Sequence, residues 1–181
     1  LPRSTRPSAR RLRLRNVCGN DKIRVCNYHR FTFHSRLRAD AISVWKHART
    51  MAGVNAEMWP LCRMTYPREY VGRTLEEVPL GRPAFRSWIL LFGVLPIDYD
   101  DLVLTQVMAP RGFREESTMW TQRSWVHERS IEAVDAGCIV IDRVSFQPRL
   151  EMLSPMFGAI FRLAFWNRHR RLRAIFEKYE G

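Results

Sequence analysis

The sequence predicts an α+β fold in which a curved antiparallel β-sheet wraps around one long C-terminal helix, with one or two short helices after the first strand. Three observations lead there. Residues 85–146 hold a series of short strand-like runs divided by turn residues, the mark of an antiparallel meander. Residues 154–179 read as a single helix. A sheet of this kind buries one face only by closing over another element, and the last helix is the natural partner.

The first strand is "HRFTFHSRLRA", where Phe31, Phe33, Ser35 and Leu37 alternate with Thr32, His34, Arg36 and Arg38. Asp40 then suits the N-cap of a helix through "AISVWKHARTMAG", with Gly53 as its stop. "VNAEMWP" fits a short second helix ending before Pro60, and "LCRMTYP" another strand. Residues 67–83 carry several Pro and Gly breaks and form a loop or lid. The strands expected next are 85–94, 102–108, 113–121, 124–134 and 138–146, broken at Pro96-Ile97-Asp98, Pro110-Arg111-Gly112 and Asp135-Ala136-Gly137. "DYDD" at 98–101 is expected to form a turn beside a strand rather than a metal site, which would need further oxygen ligands around it. Ser154-Pro155 opens the last helix with a capping hydroxyl and a Pro at the first helical position. The first half of that helix is apolar almost all round. Its second half keeps a stripe of Leu172, Ile175, Phe176 and Tyr179 opposite basic residues.

A chain of 181 residues, 46% of them hydrophobic, is enough for one domain with a substantial core. That domain is assigned to residues 29–181. Residues 1–28 are rich in Arg and Ser, lack a sustained period, and read as a basic, disordered arm. A transit peptide or a nucleic-acid-binding arm are the other readings. The net charge of +12 gathers at the two ends and leaves the body close to neutral. The four cysteines form no CxxC pair and no zinc-ligand pattern, so no metal or cofactor is expected and a reduced, cytoplasmic setting fits. No apolar run follows the basic start, so no secretory signal is expected. The most apolar stretches, Trp88–Pro96 and Met152–Trp166, fall short of the roughly 20 residues a membrane span needs.

"SWVHERSIE" puts Trp125, His127, Arg129 and Ile131 on one face with period 2. In the next strand Val140, Asp142, Val144 and Phe146 share a face. A buried Asp142 needs a cationic or hydrogen-bonding partner, and Arg129 or His127 could supply it. Such a group either satisfies the core or anchors one end of a ligand. P-loop, GxGxxG, HExxH and GxSxG motifs are absent.

The element order, with "ADAISVWKHARTMAGVNAEM", "VPLGRPAFRSWILLFGVLPIDYDDL", "WVHERSIE" and "GCIVIDRVSFQPR", resembles the helix-grip fold of the START/Bet v 1-like superfamily. That superfamily, also called SRPBCC, includes polyketide cyclases and lipid-transfer domains. The resemblance runs from about His29 to Tyr179 and is to its bacterial branch. It implies a cavity between sheet and last helix that binds or carries an apolar or amphipathic molecule such as a lipid, isoprenoid or polyketide. The expected cavity residues are Trp88, Trp120, Trp125, His127, Arg129, Asp142, Met156, Phe157, Ile160 and Phe161, with Tyr66 and Tyr70 at the entrance. The enzyme alternative is a cyclase or dehydratase in the same cavity, with His127 for acid–base work and Arg129 stabilising an enolate. A further alternative is contact of the basic ends with nucleic acid or an anionic membrane, the latter through Arg168, Arg170, Arg171 and Arg173.

Overall fold

The computed structural model describes residues 28–177. The expected arm lies outside the described residues except for Tyr28, as does the helix end at Tyr179. Strand β1 (His29–Leu37) leads into helices α1 (Ala41–Ala48) and α2 (Met51–Met58). Strands β2 (Cys62–Met64), β3 (Phe85–Leu91), β4 (Leu95–Leu102), β5 (Leu104–Met108), β6 (Gly112–Met119), β7 (Gln122–Val134) and β8 (Gly137–Pro148) follow, then helix α3 (Ser154–Glu177). The strands form one sheet in the order β1-β8-β7-β6-β4-β3-β2, with β5 paired to β6. Every pairing between these strands is antiparallel. The predicted helix-grip architecture is the observed one.

Local chemistry accounts for the boundaries, including those that differ from expectation. Asp40 caps α1 through a 2.9 Å bond from Ser43 N. The helix then stops at Arg49 instead of running on to Gly53, because Thr50 recaps the chain and accepts from Gly53 N at 3.1 Å. Gly53 therefore sits inside α2, where a Cβ would stand 1.9 Å from the His47 carbonyl. The expected strand 85–94 ends at Leu91, since Phe92 (φ 51°) and Gly93 (φ 77°) turn the chain back. Pro96 lies within β4, not at a break. It pairs with β3, whereas β6 reaches only Asp100 and Asp101, so no ladder bond from β6 requires a Pro96 N–H. "DYDD" is thus strand, not turn, and its side chains alternate between faces.

Helix α3 packs chiefly on β1 and α2. Two apolar clusters fill the interior. One joins Leu37, Trp45, Leu104, Ile131, Val140 and Leu172, and the segment 67–83 closes over it through Leu75 and Val78. The other is aromatic: Trp125, Phe146 and Phe165, with Phe31, Phe33, Phe157 and Phe161 against them. Polar side chains lie between the two clusters, and they define the candidate site.

Candidate functional site

Strands β7 and β8 pair so that Arg129 stands directly opposite Asp142 and Trp125 opposite Phe146. Alternation then buries Trp125, His127, Arg129 and Ile131 together on the concave face. Arg129 is 0% exposed. Its Nε and Nη2 donate to the two oxygens of Asp142 at 2.8 and 2.7 Å, and its Nη1 donates to Glu57 at 2.9 Å. Asp142 also receives His127 Nε2 at 2.9 Å and His169 Nε2 at 3.0 Å. Four donors meet its four lone-pair positions. Burial pushes Asp142 toward protonation, but the Arg129 charge and hydrogen bonds outweigh it and hold the carboxyl well below its usual range.

Glu57, from α2, also accepts Arg168 Nε and Nη2 at 3.2 and 3.0 Å. Burial again opposes its charge, yet Arg129 and Arg168 lower its pKa to about 2. Arg173 donates to Ser35 Oγ at 2.8 Å, so the Ser35 hydroxyl is free to donate to His169 Nδ1, 2.7 Å away. Two guanidinium groups thus face two carboxylates, and all four carboxylate oxygens accept hydrogen bonds. It clamps α2 and α3 to the sheet.

A second buried polar group, on β4 and β6, is not balanced. Asp98 and Asp100 point inward with Leu102, and Glu115 and Ser117 point inward between Phe113 and Met119. Ser117 Oγ donates to Glu115 at 3.0 Å, and His127 Nδ1 lies 3.9 Å from Glu115 Oε2, too far for a hydrogen bond. Asp100 is 3% exposed, and its Oδ1 has no hydrogen-bond partner. Burial, then the charge of Glu115, raises the Asp100 pKa well above the usual carboxylate range. Burial works against Glu115 as well, but the His127 ring and neighbouring hydrogen bonds more than offset it, and its pKa is lowered. Asp98 is fully engaged by Tyr99 N and by the Thr121 backbone and hydroxyl. Gln122 Nε2 donates to that hydroxyl at 2.9 Å, which leaves Gln122 Oε1 as a second buried acceptor without a partner. Trp125, Met119, Ile89, Phe161 and Phe165 form the adjoining apolar wall.

The sequence-predicted residues divide accordingly. The structure brings together Trp125, His127, Arg129, Asp142, Phe157 and Phe161. Trp88 and Trp120 do not join them, being 45% and 61% exposed. Strand alternation turns Trp88 outward onto Tyr99 while Ser87 faces in, and Trp120 falls at the end of β6. Met156 and Ile160 are also exposed, because α3 turns Phe157, Gly158, Phe161 and Phe165 to the sheet instead. Tyr66 is half-buried, and Tyr70 packs on Phe85 at 4.5 Å within the core. Arg168, Arg171 and Arg173 bond inward to Glu57, the Ala56 carbonyl and Ser35; of the four basic residues expected at a membrane only Arg170 is exposed. Among the described residues no helix is long and apolar enough to cross a membrane. Glu57, Asp100, Glu115, Ser117 and His169 were missed. The alternation of Phe113, Glu115, Ser117 and Met119 did carry the signal for two of them.

Solved structures share this fold at very low identity. Protein CV1439 from Chromobacterium violaceum is 10% identical, with a TM-score of 0.61 over 82% of this chain and 97% of that one. Ara h 8.0201 is 9% identical, with a TM-score of 0.53 over 81% and 98%. DynU16, titled a putative protein in the dynemicin biosynthetic locus, is 11% identical, with a TM-score of 0.50 over 80% of this chain and 46% of that one. They place the architecture among Bet v 1-like, SRPBCC-like folds. No curated protein matches the chain. Residues 35–176 match the family model described as "Domain of unknown function (DUF8410)", and the chain belongs to that family.

Proposed function

We propose that this protein binds an amphipathic small molecule on the concave face of its sheet, with β4, β6 and β7 as a polar wall and the α3 aromatics as an apolar one. The observation that carries the reading is Asp100: a carboxyl group buried beside a second carboxylate, with an oxygen left without a partner. Buried polar groups are nearly always hydrogen-bonded, and leaving one unmet costs about 1–3 kcal/mol. The Arg129 cluster needs no ligand to explain it; the unmet oxygen of Asp100 does. A mostly apolar wall with a few convergent polar groups is how small-molecule sites are built. Membership in the bacterial branch of the START/Bet v 1-like superfamily, and a lipid, isoprenoid or polyketide as ligand, belong to the same reading. The test is native mass spectrometry of the purified protein with solvent extraction of anything retained. A small molecule in the wild type that is lost in Asp100→Leu supports the reading, and a mass equal to the bare chain in both contradicts it.

A second reading, an enzyme of cyclase or dehydratase type, is favoured by one observation. Asp100 and Glu115 are pushed in opposite directions, one toward the acid and one toward the carboxylate. Environments that separate two carboxyls in this way suit an acid and a base at neutral pH. Here Asp100 would donate a proton and Glu115, next to His127, would accept one. Turnover of an extracted ligand that disappears in Glu115→Gln while binding persists would establish it.

A further inference from the structure

Resting on that binding reading, we infer that the polar end of the ligand is a hydrogen-bond donor, a hydroxyl or an ammonium, received by Asp100 Oδ1 and Gln122 Oε1, and that carboxylate-headed amphiphiles are rejected. The argument begins with what the interior lacks. A carboxylate head needs a cation or several free N–H donors once it leaves water. The buried guanidinium groups nearby are already engaged: Arg129 bonds Asp142 and Glu57, and Arg168 bonds the other oxygen of Glu57. His127 spends Nε2 on Asp142, and its Nδ1 faces Glu115. A second anion would therefore sit against Asp100 and Glu115 with no positive charge left to receive it.

Among the described residues the buried side-chain atoms without a partner are His29 Nε2, His47 Nε2, Arg49 Nε, Asp100 Oδ1 and Gln122 Oε1. The two on β4 and at the head of β7, Asp100 and Gln122, are oxygens, and they describe what would be welcome at this wall. The Gln122 amide cannot simply be turned over. Its Nε2 is fixed by the Thr121 oxygen, whose own proton goes to Asp98. Asp98 and Asp100 lie two residues apart on one face of β4, so this network ties Gln122 to the Asp100 side of the wall. Each unmet acceptor calls for a donor. A hydroxyl supplies one proton and can accept one in return from Asp100. An ammonium supplies three. Arg129, which the sequence offered as an anchor for one end of a ligand, is held by Asp142 and Glu57 instead.

The test uses dodecanol, dodecylamine and dodecanoate, three probes with one tail and different heads, titrated separately into the full-length protein by calorimetry below their aggregation concentrations at pH 7. Dodecanol, dodecylamine or both should bind at least tenfold more tightly than dodecanoate, and which of the two is tighter identifies the donor. Asp100→Leu should abolish that preference by weakening the donor-headed probes about tenfold. Gln122→Met should weaken them in the same direction, which serves if the first variant fails to fold. Dodecanoate binding as tightly as the others overturns the inference and leaves the small-molecule reading standing. If none of the three binds and native mass spectrometry shows only the bare chain, both fall.

Discussion

Arg129 and Asp142 occupy directly opposed positions on β7 and β8 and form a two-bond, side-by-side ion pair at 2.8 and 2.7 Å. With all three guanidinium nitrogens of Arg129 bonded to protein carboxylates, the role of the pair is to hold α2 and α3 on the sheet. Arg129→Leu would strand Asp142 and Glu57 as buried carboxylates and should cost roughly 3–5 kcal/mol of stability. Arg129→Lys should not restore it, since an ammonium cannot serve three oxygens from one planar fork. Urea unfolding of the three proteins checks this.

Glu57 makes acid the condition under which that cluster fails. Its pKa in the folded protein is about 2, against an ordinary 4.5. A depressed carboxylate contributes its stability above the unfolded value and loses it as pH falls through the folded one. Stability should therefore drop by roughly 3 kcal/mol between pH about 4.5 and about 2. Glu57→Gln should be less stable at pH 7 and show a flatter acid limb in the same window.

Asp100 should behave in the opposite sense. Its folded pKa is raised, so the folded state is penalised as pH rises above the ordinary carboxylate value. Asp100→Asn keeps the shape and removes the ionisation. It should raise the melting temperature at pH 7 relative to wild type, and the gain should vanish near pH 3. A stability gain on changing a buried polar residue is the signature of a position kept for function. Equal melting temperatures at pH 7 would count against that.

The outward-facing tryptophan should matter little to either property. Trp120→Ser should change stability by no more than about 0.5 kcal/mol. Phe165→Ala, which opens a hole among Phe31, Phe33, Trp125 and His127, should cost roughly 3–5 kcal/mol. Thermal melts of the two variants separate wall from surface.

Much of this was legible in the sequence, for physical reasons. Period 2 put Trp125, His127, Arg129 and Asp142 on one buried face, because β7 and β8 are long and regular. Asp40 marks a helix start through local chemistry alone, whereas Ser154, expected as a capping residue, is already helical (φ −58°, ψ −38°) and continues the turn that begins at Glu151. Trp88 was placed on the wrong face because bulk and aromaticity suggested burial while the alternation with Ser87 decided against it. Met156 and Ile160 were lost to helix phase: a helix apolar all round does not say which side meets the sheet. Glu57, His169 and Arg168 come from distant segments, and only the folded chain brings them to Arg129 and Asp142. Asp100 and Glu115 were hidden differently. A charged residue among strand residues reads as solvent-facing until its neighbours on the same face prove to be core.

The most direct test of the central claim is side-chain carboxyl 13C NMR of the protein during titration with dodecanol. If the ligand lies against the β4–β6 wall, the Asp100 and Glu115 carboxyl resonances should shift together. Those of Asp101 and Glu132 should stay in place, since Asp101 is paired with Arg86 and Glu132 is exposed. Unmoved Asp100 and Glu115 signals at saturating dodecanol would contradict the account.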